Sequence, residues 1–156
     1  MPVQTPVSMP LPTNAIVKYF DIGQGIWAMA SDRMIAVYSP ERISSYRISS
    51  GETYQPPPGE IFIFSTVTCQ NIGDSPFFTR PGDFFLVDSE GHTYQGQTDG
   101  SYQISERYPT GTLSPKALVS GRILWVVPIS SSSLEVSYAL DYDSTPPLVA
   151  SWKLPW

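Results

Sequence analysis

The sequence predicts an all-β fold in which about eight or nine antiparallel strands form two packed sheets. Apolar residues recur with a period of two between glycine and proline turns, and β-branched and aromatic residues are dense in those segments. No segment has a helical periodicity over a length that could connect parallel strands. These observations favour a β-sandwich, with a closed barrel as the structural alternative.

The part of the chain before residue 50 is predicted to contain short strands. Residues 21–23 and the pair Ser39 and Pro40 combine turn-forming residue types, so each should interrupt strand pairing. The predicted strands cover residues 15–20, 26–30, 34–38 and 43–48.

Residues 59–73 are predicted to form a long central strand. Because side chains alternate along a strand, two sets of residues should lie on opposite faces. One face carries Ile61, Ile63, Ser65, Val67 and Cys69, and the other carries Phe62, Phe64, Thr66, Thr68 and Gln70. Cys69 is in phase with the aliphatic residues, so we expect a buried and unreactive thiol.

The second half of the chain reads as a hairpin, a long loop and three further strands. Residues 83–87 alternate, residues 88–91 form a turn signal that ends in Gly91, and the return strand starts at His92. Residues 95–116 are polar and rich in turn residues, which predicts an extended loop with at most short strands. The remaining predicted strands cover residues 122–127, 134–140 and 148–154.

Composition excludes several classes of function. Nine Lys and Arg against 14 Asp and Glu give a net charge of −5, which offers no basic patch for DNA or RNA, so we expect no nucleic-acid partner. The single Cys69 cannot form an intramolecular disulfide or a cysteine zinc cluster, and the single His92 cannot supply a multi-histidine metal site. We therefore expect no cofactor and no metal.

Residues 1–13 are predicted to be a disordered, proline-rich tether ahead of one folded domain, residues 14–156. Prolines 2, 6, 10 and 12 remove amide donors and favour extended polyproline II. Such segments separate a membrane anchor from a surface domain. We expect a removed signal or lipid-attachment segment upstream, and a disordered cytosolic tail is the alternative.

Several motifs together resemble the family called domain of unknown function 4352. They are Gly59 and Glu60, residues 71–74, residues 83–94, residues 113–115, and residues 121–128 with Trp125 as the aromatic. The resemblance covers about residues 55–140. It implies an immunoglobulin-like sandwich, similar to a secreted mycobacterial antigen, in an exported or lipid-anchored protein of a bacterium or archaeon. It implies no established activity.

Catalytic candidates are few. His92 follows the turn that contains Ser89, but across a tight turn the two side chains should diverge, so we interpret His92 as an ordinary strand residue. Two carboxylate pairs, Asp88 with Glu90 and Asp141 with Asp143, have a spacing that suits a hairpin better than a glycosidase cleft. With Asp99 they could bind calcium weakly, although no loop has a dedicated calcium pattern.

Aromatic residues outside the predicted core are the stronger candidates for binding. Rings on loops or edges combine a large contact area with a low entropic cost. Four form the predicted binding surface: Tyr94, Tyr102, Tyr108 and Trp152. The alternative is that these rings cover the open edges and ends of the sandwich.

The sequence thus predicts a non-catalytic, extracytoplasmic domain that binds an unidentified protein at the cell surface. A membrane would be contacted only through the removed anchor, and an edge strand could pair two copies into a dimer. Two alternatives stay open: a carbohydrate-binding module that uses Tyr102 and Tyr108, and a hydrolase built on His92 or a carboxylate pair.

Overall fold

The computed structural model describes residues 10–98 and 100–156. Within them lie thirteen strands and one short 3₁₀ helix, Pro81–Asp83. The strands are β1 (Ile16–Phe20), β2 (Ala28–Met29), β3 (Arg33–Ile43), β4 (Tyr46–Arg47), β5 (Thr53–Tyr54), β6 (Glu60–Asn71), β7 (Phe77–Thr79), β8 (Phe84–Val87), β9 (Thr93–Gln95), β10 (Gly111–Leu113), β11 (Leu118–Pro128), β12 (Glu135–Asp141) and β13 (Leu148–Lys153).

Two main sheets form a sandwich. The five-stranded sheet has the order β1-β13-β12-β8-β9, and the four-stranded sheet has the order β11-β6-β3-β2. The pairs β7–β10 and β4–β5 form two small ribbons beside them. The predicted all-β sandwich is confirmed, and the strand count exceeds eight or nine because six strands have only two or three residues.

The strand order is that of an immunoglobulin-like sandwich. The neighbours β13, β12, β8 and β9 follow the G-F-C-C′ order, and β3, β6 and β11 follow the A-B-E order. Strand pairing is antiparallel except between β1 and β13, which run parallel from Ile16 and Leu148 to Phe20 and Trp152. The first strand is therefore fixed beside the last one.

Two apolar clusters lie on opposite faces of β6. The main core fills the space between the sheets and includes Ile63, Val67 and Cys69. A second cluster contains Phe62 and Phe64 on the outer face, under the β4–β5 ribbon and the loop after β9. The predicted division of β6 into two faces is confirmed, and the Phe face is buried by a third layer of chain.

The predicted break at Ser39 and Pro40 is wrong. Strand β3 continues through both residues, and its register with β6 shifts between Tyr38 and Glu41. Ser39 has a φ of 51°, in the left-handed region. A bulge leaves one residue unpaired, so a proline without an amide proton is accommodated there and the strand resumes.

Candidate functional site

The predicted hairpin after β8 is confirmed, and its turn is organised by the carboxylate of Asp88. Strands β8 and β9 pair from Phe85 and Gln95 to Val87 and Thr93. One Asp88 oxygen accepts the backbone N–H groups of Glu90 and His92, each at 2.9 Å. The turn is therefore closed by a side chain as well as by the backbone.

The second Asp88 oxygen contacts the two rings of the hairpin. It accepts the Tyr94 hydroxyl at 3.1 Å and lies 3.1 Å from Nδ1 of His92. Desolvation acts to raise the pKa of Asp88, but the hydrogen bonds from His92, Glu90 and Tyr94 together hold it below its ordinary value. Asp88 is thus an ionised anchor with both oxygens occupied.

His92 and Ser89 do not form a nucleophile and base. The His92 ring is 62% exposed, and its Nδ1 lies between Asp88 and Glu90, 3.5 Å from the latter. Ser89 instead contacts the loop after β11: its N–H donates to the Ser132 carbonyl at 3.0 Å, and the two hydroxyl oxygens are 3.5 Å apart. The cleft of about 580 Å³ between hairpin and loop contains His92, the oriented Asp88 carboxylate and four serines, and among the described residues no serine hydroxyl is hydrogen-bonded to the His92 ring.

The second carboxylate pair closes a turn in a similar way. One oxygen of Asp141 accepts the N–H groups of Asp143 at 3.0 Å and Ser144 at 3.1 Å. Across residues 10–98 and 100–156, no three His, Cys, Asp or Glu side chains are grouped so that they could hold a metal ion. Asp99, part of the calcium hypothesis, lies outside the described residues.

Cys69 is buried in the main core, as predicted. Burial raises the pKa of its thiol to about 11. Since the thiolate is the reactive form, the folded protein keeps this cysteine inert.

The predicted aromatic binding surface is wrong for two of its four residues. Tyr108 is fully buried, donates or accepts a 2.7 Å hydrogen bond with the Thr79 hydroxyl, and packs edge-on against Phe84. Trp152 is fully buried in the core beside Phe20. Both rings are enclosed by apolar neighbours, so neither can contact a partner.

The other two rings are half-buried. Tyr94 contacts Asp88 through its hydroxyl, as described above. Tyr102 packs edge-on against Phe62, with ring centroids 5.2 Å apart and planes at 80°, and against Tyr54 at 66°. Tyr102 is thus part of the outer-face cluster and does not lie parallel to a neighbouring ring as a flat sugar platform requires.

The loop that carries Tyr102 and Tyr108 covers the edge of β11. Tyr108 N–H donates to the Arg122 carbonyl at 3.0 Å, and Arg122 N–H donates to the Glu106 carbonyl at 2.8 Å. Gln97 N–H donates to the Leu124 carbonyl at 2.9 Å. For these tyrosines the alternative interpretation, that loop aromatics cover an open edge, describes the structure.

Strand β1, unlike β11, has an uncovered edge. Its side chains were not identified from the sequence as candidates for binding. β1 is the outer strand of the five-stranded sheet, and Ile16, Val17 and Tyr19 are 50%, 43% and 58% exposed. Lys18 is also exposed, while Phe20 at the end of the strand packs against the core. Strong apolar character on both faces of 16–20 predicts burial, and only Lys18 in its middle signals exposure.

The order of these elements along the chain is that of a known family. The sequence model described as domain of unknown function (DUF4352) matches residues 41–148, well over half of the chain. The chain belongs to the DUF4352 family. The matched region includes the β8–β9 hairpin and β11, whose motifs carried the resemblance, and it begins after β1.

Solved structures agree with this assignment at the level of the fold. The DUF4352 chain is similar to the yjhA protein from Bacillus subtilis (TM-score 0.63, 18% identity, 86% of this chain and 98% of that one). It is also similar to MPT63, a secreted protein from Mycobacterium tuberculosis (TM-score 0.62, 13% identity, 92% and 100%).

A third similar structure is larger. The candidate lipoprotein ycdA from Bacillus subtilis has a TM-score of 0.60 and 17% identity over 82% of this chain, which spans 38% of that protein. No curated protein sequence matches the chain significantly. In the described part of the DUF4352 chain, no helix has the length and apolar character needed to cross a membrane.

The predicted tether is described only at its end. Residues 1–9 lie outside the described residues, and the carbonyl of Pro10 accepts a hydrogen bond from the Tyr142 hydroxyl. The role of residues 1–13 as a tether stays a prediction.

Proposed function

We propose that this DUF4352 chain is a non-catalytic domain outside the cytoplasm that binds a protein partner at the cell surface. The observation that carries the proposal is the concentration of exposed apolar side chains on one edge strand. Ile16, Val17 and Tyr19 are consecutive or nearly so, and each is more than two-fifths exposed. Ile16 lies on one face of the strand and Val17 and Tyr19 lie on the other, so these side chains flank the open edge from both sides. Scattered exposed apolar residues need no explanation, whereas a group along one open edge suits a contact surface.

The polar cleft beside the β8–β9 hairpin supports a catalytic function less well than the β1 edge supports protein binding. The Asp88 carboxylate is occupied by the turn that it closes, and Ser89 is bonded to Ser132. A hydrolase would need a nucleophile within hydrogen-bond reach of His92. Serines 130–132 line the same cleft, but the contacts of the His92 Nδ1 among the described residues are the carboxylates of Asp88 and Glu90.

The proposed location has two sources of support. The fold is shared with proteins described as secreted and as a candidate lipoprotein. The prolines at positions 2, 6, 10 and 12 suit an extended spacer between an anchor and the folded domain. These observations favour an extracytoplasmic position and make the exposed β1 edge available to other surface proteins.

Site-specific photo-cross-linking in intact cells of the source organism tests the proposal. A photoreactive amino acid replaces Tyr19 in the full chain, and a matched control carries it at Ile129, which is 57% exposed against 58% for Tyr19. We expect a cross-linked protein from position 19 only, and digestion of the domain by protease added outside the cells. A cross-link of equal strength from both positions, no cross-link from either, or full protection from protease would contradict the proposal.

A further inference from the structure

Strand β1 leaves a row of backbone hydrogen-bonding groups without a partner strand. Ile16 N–H donates to the Pro147 carbonyl at 2.8 Å, in a parallel ladder where Ile16 lies opposite Leu148. Residues two apart in a ladder direct their N–H and C=O groups to the same side. Lys18 and Phe20 therefore also bond towards β13, and Val17 and Tyr19 direct theirs outward, where the described residues provide no strand.

The exposed edge has a basic residue on each face. Phe20 points to the core side of the sheet, so Lys18, two residues earlier, lies on that side at the open edge. On the outer side, the Lys153 Nζ lies 5.0 Å from the centre of the Tyr19 ring. Neither lysine forms an ion pair among the described residues, in a chain whose net charge is −5. Two acidic residues lie nearby: Asp21, just past the strand, and Glu135, which pairs with Lys153 in the β12–β13 ladder.

Lysine 18 disfavours pairing of β1 with a second copy of itself. Antiparallel pairing that uses the outward groups of Val17 and Tyr19 in both copies sets Lys18 directly opposite Lys18, with Cα atoms about 4.5 Å apart. Like charges directly opposite each other destabilise a strand pair. Registers shifted by two residues avoid this contact but pair only part of β1. A lysine on an edge strand is also a common protection against unspecific pairing.

A cleft continues the edge beyond the end of β1. Its volume is about 560 Å³. It is lined by apolar side chains and by one residue of each charge: Tyr19, Phe20, Ile22, Pro40, Pro155, Asp21 and Lys153. An added strand that runs past Tyr19 would meet this mainly apolar cleft and could place one apolar side chain in it, with Asp21 and Lys153 at the cleft wall. Along the edge, a partner strand would therefore meet the unpaired backbone groups of Val17 and Tyr19, then the charge of Lys18 beside them, and then the cleft after Tyr19.

We infer that β1 binds an extended segment of a different protein by strand addition, and that the segment carries an acidic residue opposite Lys18 with apolar residues on either side. Main-chain hydrogen bonds to Val17 and Tyr19 supply affinity, and the pairing with Lys18 supplies selectivity. This inference rests on the proposed protein-binding function and names the mode and chemistry of that binding.

Two substitutions of one residue test the backbone contribution. Val17→Pro removes an N–H that points away from β13, so the fold should be kept, because edge strands tolerate proline where the N–H faces solvent. Val17→Thr keeps the N–H and the β-branched shape. In the cross-linking experiment at position 19, we expect Val17→Thr to retain the partner and Val17→Pro to lose it, with equal thermal unfolding of the two proteins.

A synthetic probe tests the charge. The peptide Thr-Thr-Val-Glu-Val-Thr-Thr, acetylated and amidated, is titrated into the full chain and followed by the NMR shifts of the Val17 and Tyr19 amides. We expect saturable shifts of both amides, with a Kd about tenfold higher when the central Glu is replaced by Lys. In Val17→Pro, which has no amide proton at position 17, the Tyr19 amide should no longer shift. Binding of both peptides with equal affinity would overturn the charge pairing.

The outcomes separate the inference from the proposed function. Absence of any position-19 cross-link in the unsubstituted chain contradicts the function itself. A cross-linked partner that survives Val17→Pro leaves the function intact and overturns strand addition. A dimer in sedimentation experiments that Val17→Pro dissociates would show that the occupant is a second copy and overturn the choice of a different protein.

Discussion

The sheet edge at β11 is covered by a loop, whereas the sheet edge at β1 is open. At β11, Gln97, Glu106 and Tyr108 lie along the strand, and their backbone bonds to Arg122 and Leu124 occupy groups that would otherwise face solvent. At β1, no described segment lies along the outer side, and apolar side chains are exposed. The closed edge uses tyrosines to pack the covering loop, while the open edge exposes one.

The difference shows that an exposed aromatic residue cannot be recognised from its loop position alone. Tyr108 lies in an irregular segment yet is fully buried, and Tyr19 lies in a regular strand yet is 58% exposed. What separates them is whether another part of the chain pairs with the edge beside them. Substitutions at the two edges should therefore differ widely in their effect on stability.

The largest effect is expected for Tyr108→Ala at the closed edge. This change removes a buried ring and leaves the Thr79 hydroxyl without the partner that it has at 2.7 Å. Truncation of buried aromatic residues costs about 3–5 kcal/mol, so the free energy of unfolding should fall by that amount in urea denaturation. A loss below about 1 kcal/mol would mean that the covering loop is not packed as described.

A smaller loss is expected for Gly121→Ala in β11. A Cβ at this position would lie 2.4 Å from both Cα and N of Tyr108, so the covering loop must move away from the edge. Overpacking of this kind costs about 1–3 kcal/mol. Gly100→Ala in the same loop is the control, because no heavy atom lies within 4 Å of its Cβ position, and it should change stability by less than about 0.5 kcal/mol.

The stability of the β8–β9 hairpin, at the other edge of the five-stranded sheet, should depend on pH through Asp88. Hydrogen bonds hold the folded-state pKa of Asp88 below its ordinary value of 3.8, so its stabilisation is complete above that pH and is lost as pH falls through the lower folded-state pKa. Asp88→Asn should be less stable than the unsubstituted chain at neutral pH, and the difference should shrink on acidification. Parallel denaturation curves from neutral to acid pH measure this, and a constant difference would contradict the role of the carboxylate.

The smallest effect is expected for Tyr19→Ala at the open edge. The ring contacts Lys153 at the surface and is mostly exposed, so the free energy of unfolding should change by less than about 0.5 kcal/mol. The same substitution should weaken the proposed partner binding, because it removes exposed apolar surface while it keeps the backbone groups of residue 19. A stability loss comparable to that of Tyr108→Ala would remove the contrast between the edges.

Local patterns in the sequence predicted the fold class and several of its parts. Alternation assigned the two faces of β6, and the turn residues after Asp88 located the β8–β9 hairpin. These features depend on neighbours in sequence, since the side-chain period of a strand is fixed by its backbone. The burial of Cys69 was predicted because Cys69 shares a face of β6 with Ile63 and Val67.

Features that depend on distant contacts were not predicted. Tyr108 is buried because Thr79 and Phe84 lie against it, and no periodicity applies in an irregular loop. Pro40 is accommodated by a bulge whose register is set by β6. The exposure of β1 follows from its parallel pairing with the last strand, more than 130 residues away, and the sequence of β1 itself predicts burial.

The three-layer arrangement around β6 has a consequence for hydrogen exchange. β6 is paired with β3 and β11, and its side chains are buried on both faces, by the main core on one and by the β4–β5 ribbon and Tyr102 on the other. Its central amides can meet water only when a whole neighbouring strand separates, so their exchange should report global unfolding. The outward amides of Val17 and Tyr19 should exchange directly from the native state. Protection of the amides against hydrogen exchange should therefore range from almost none at β1 to the level set by global unfolding at β6.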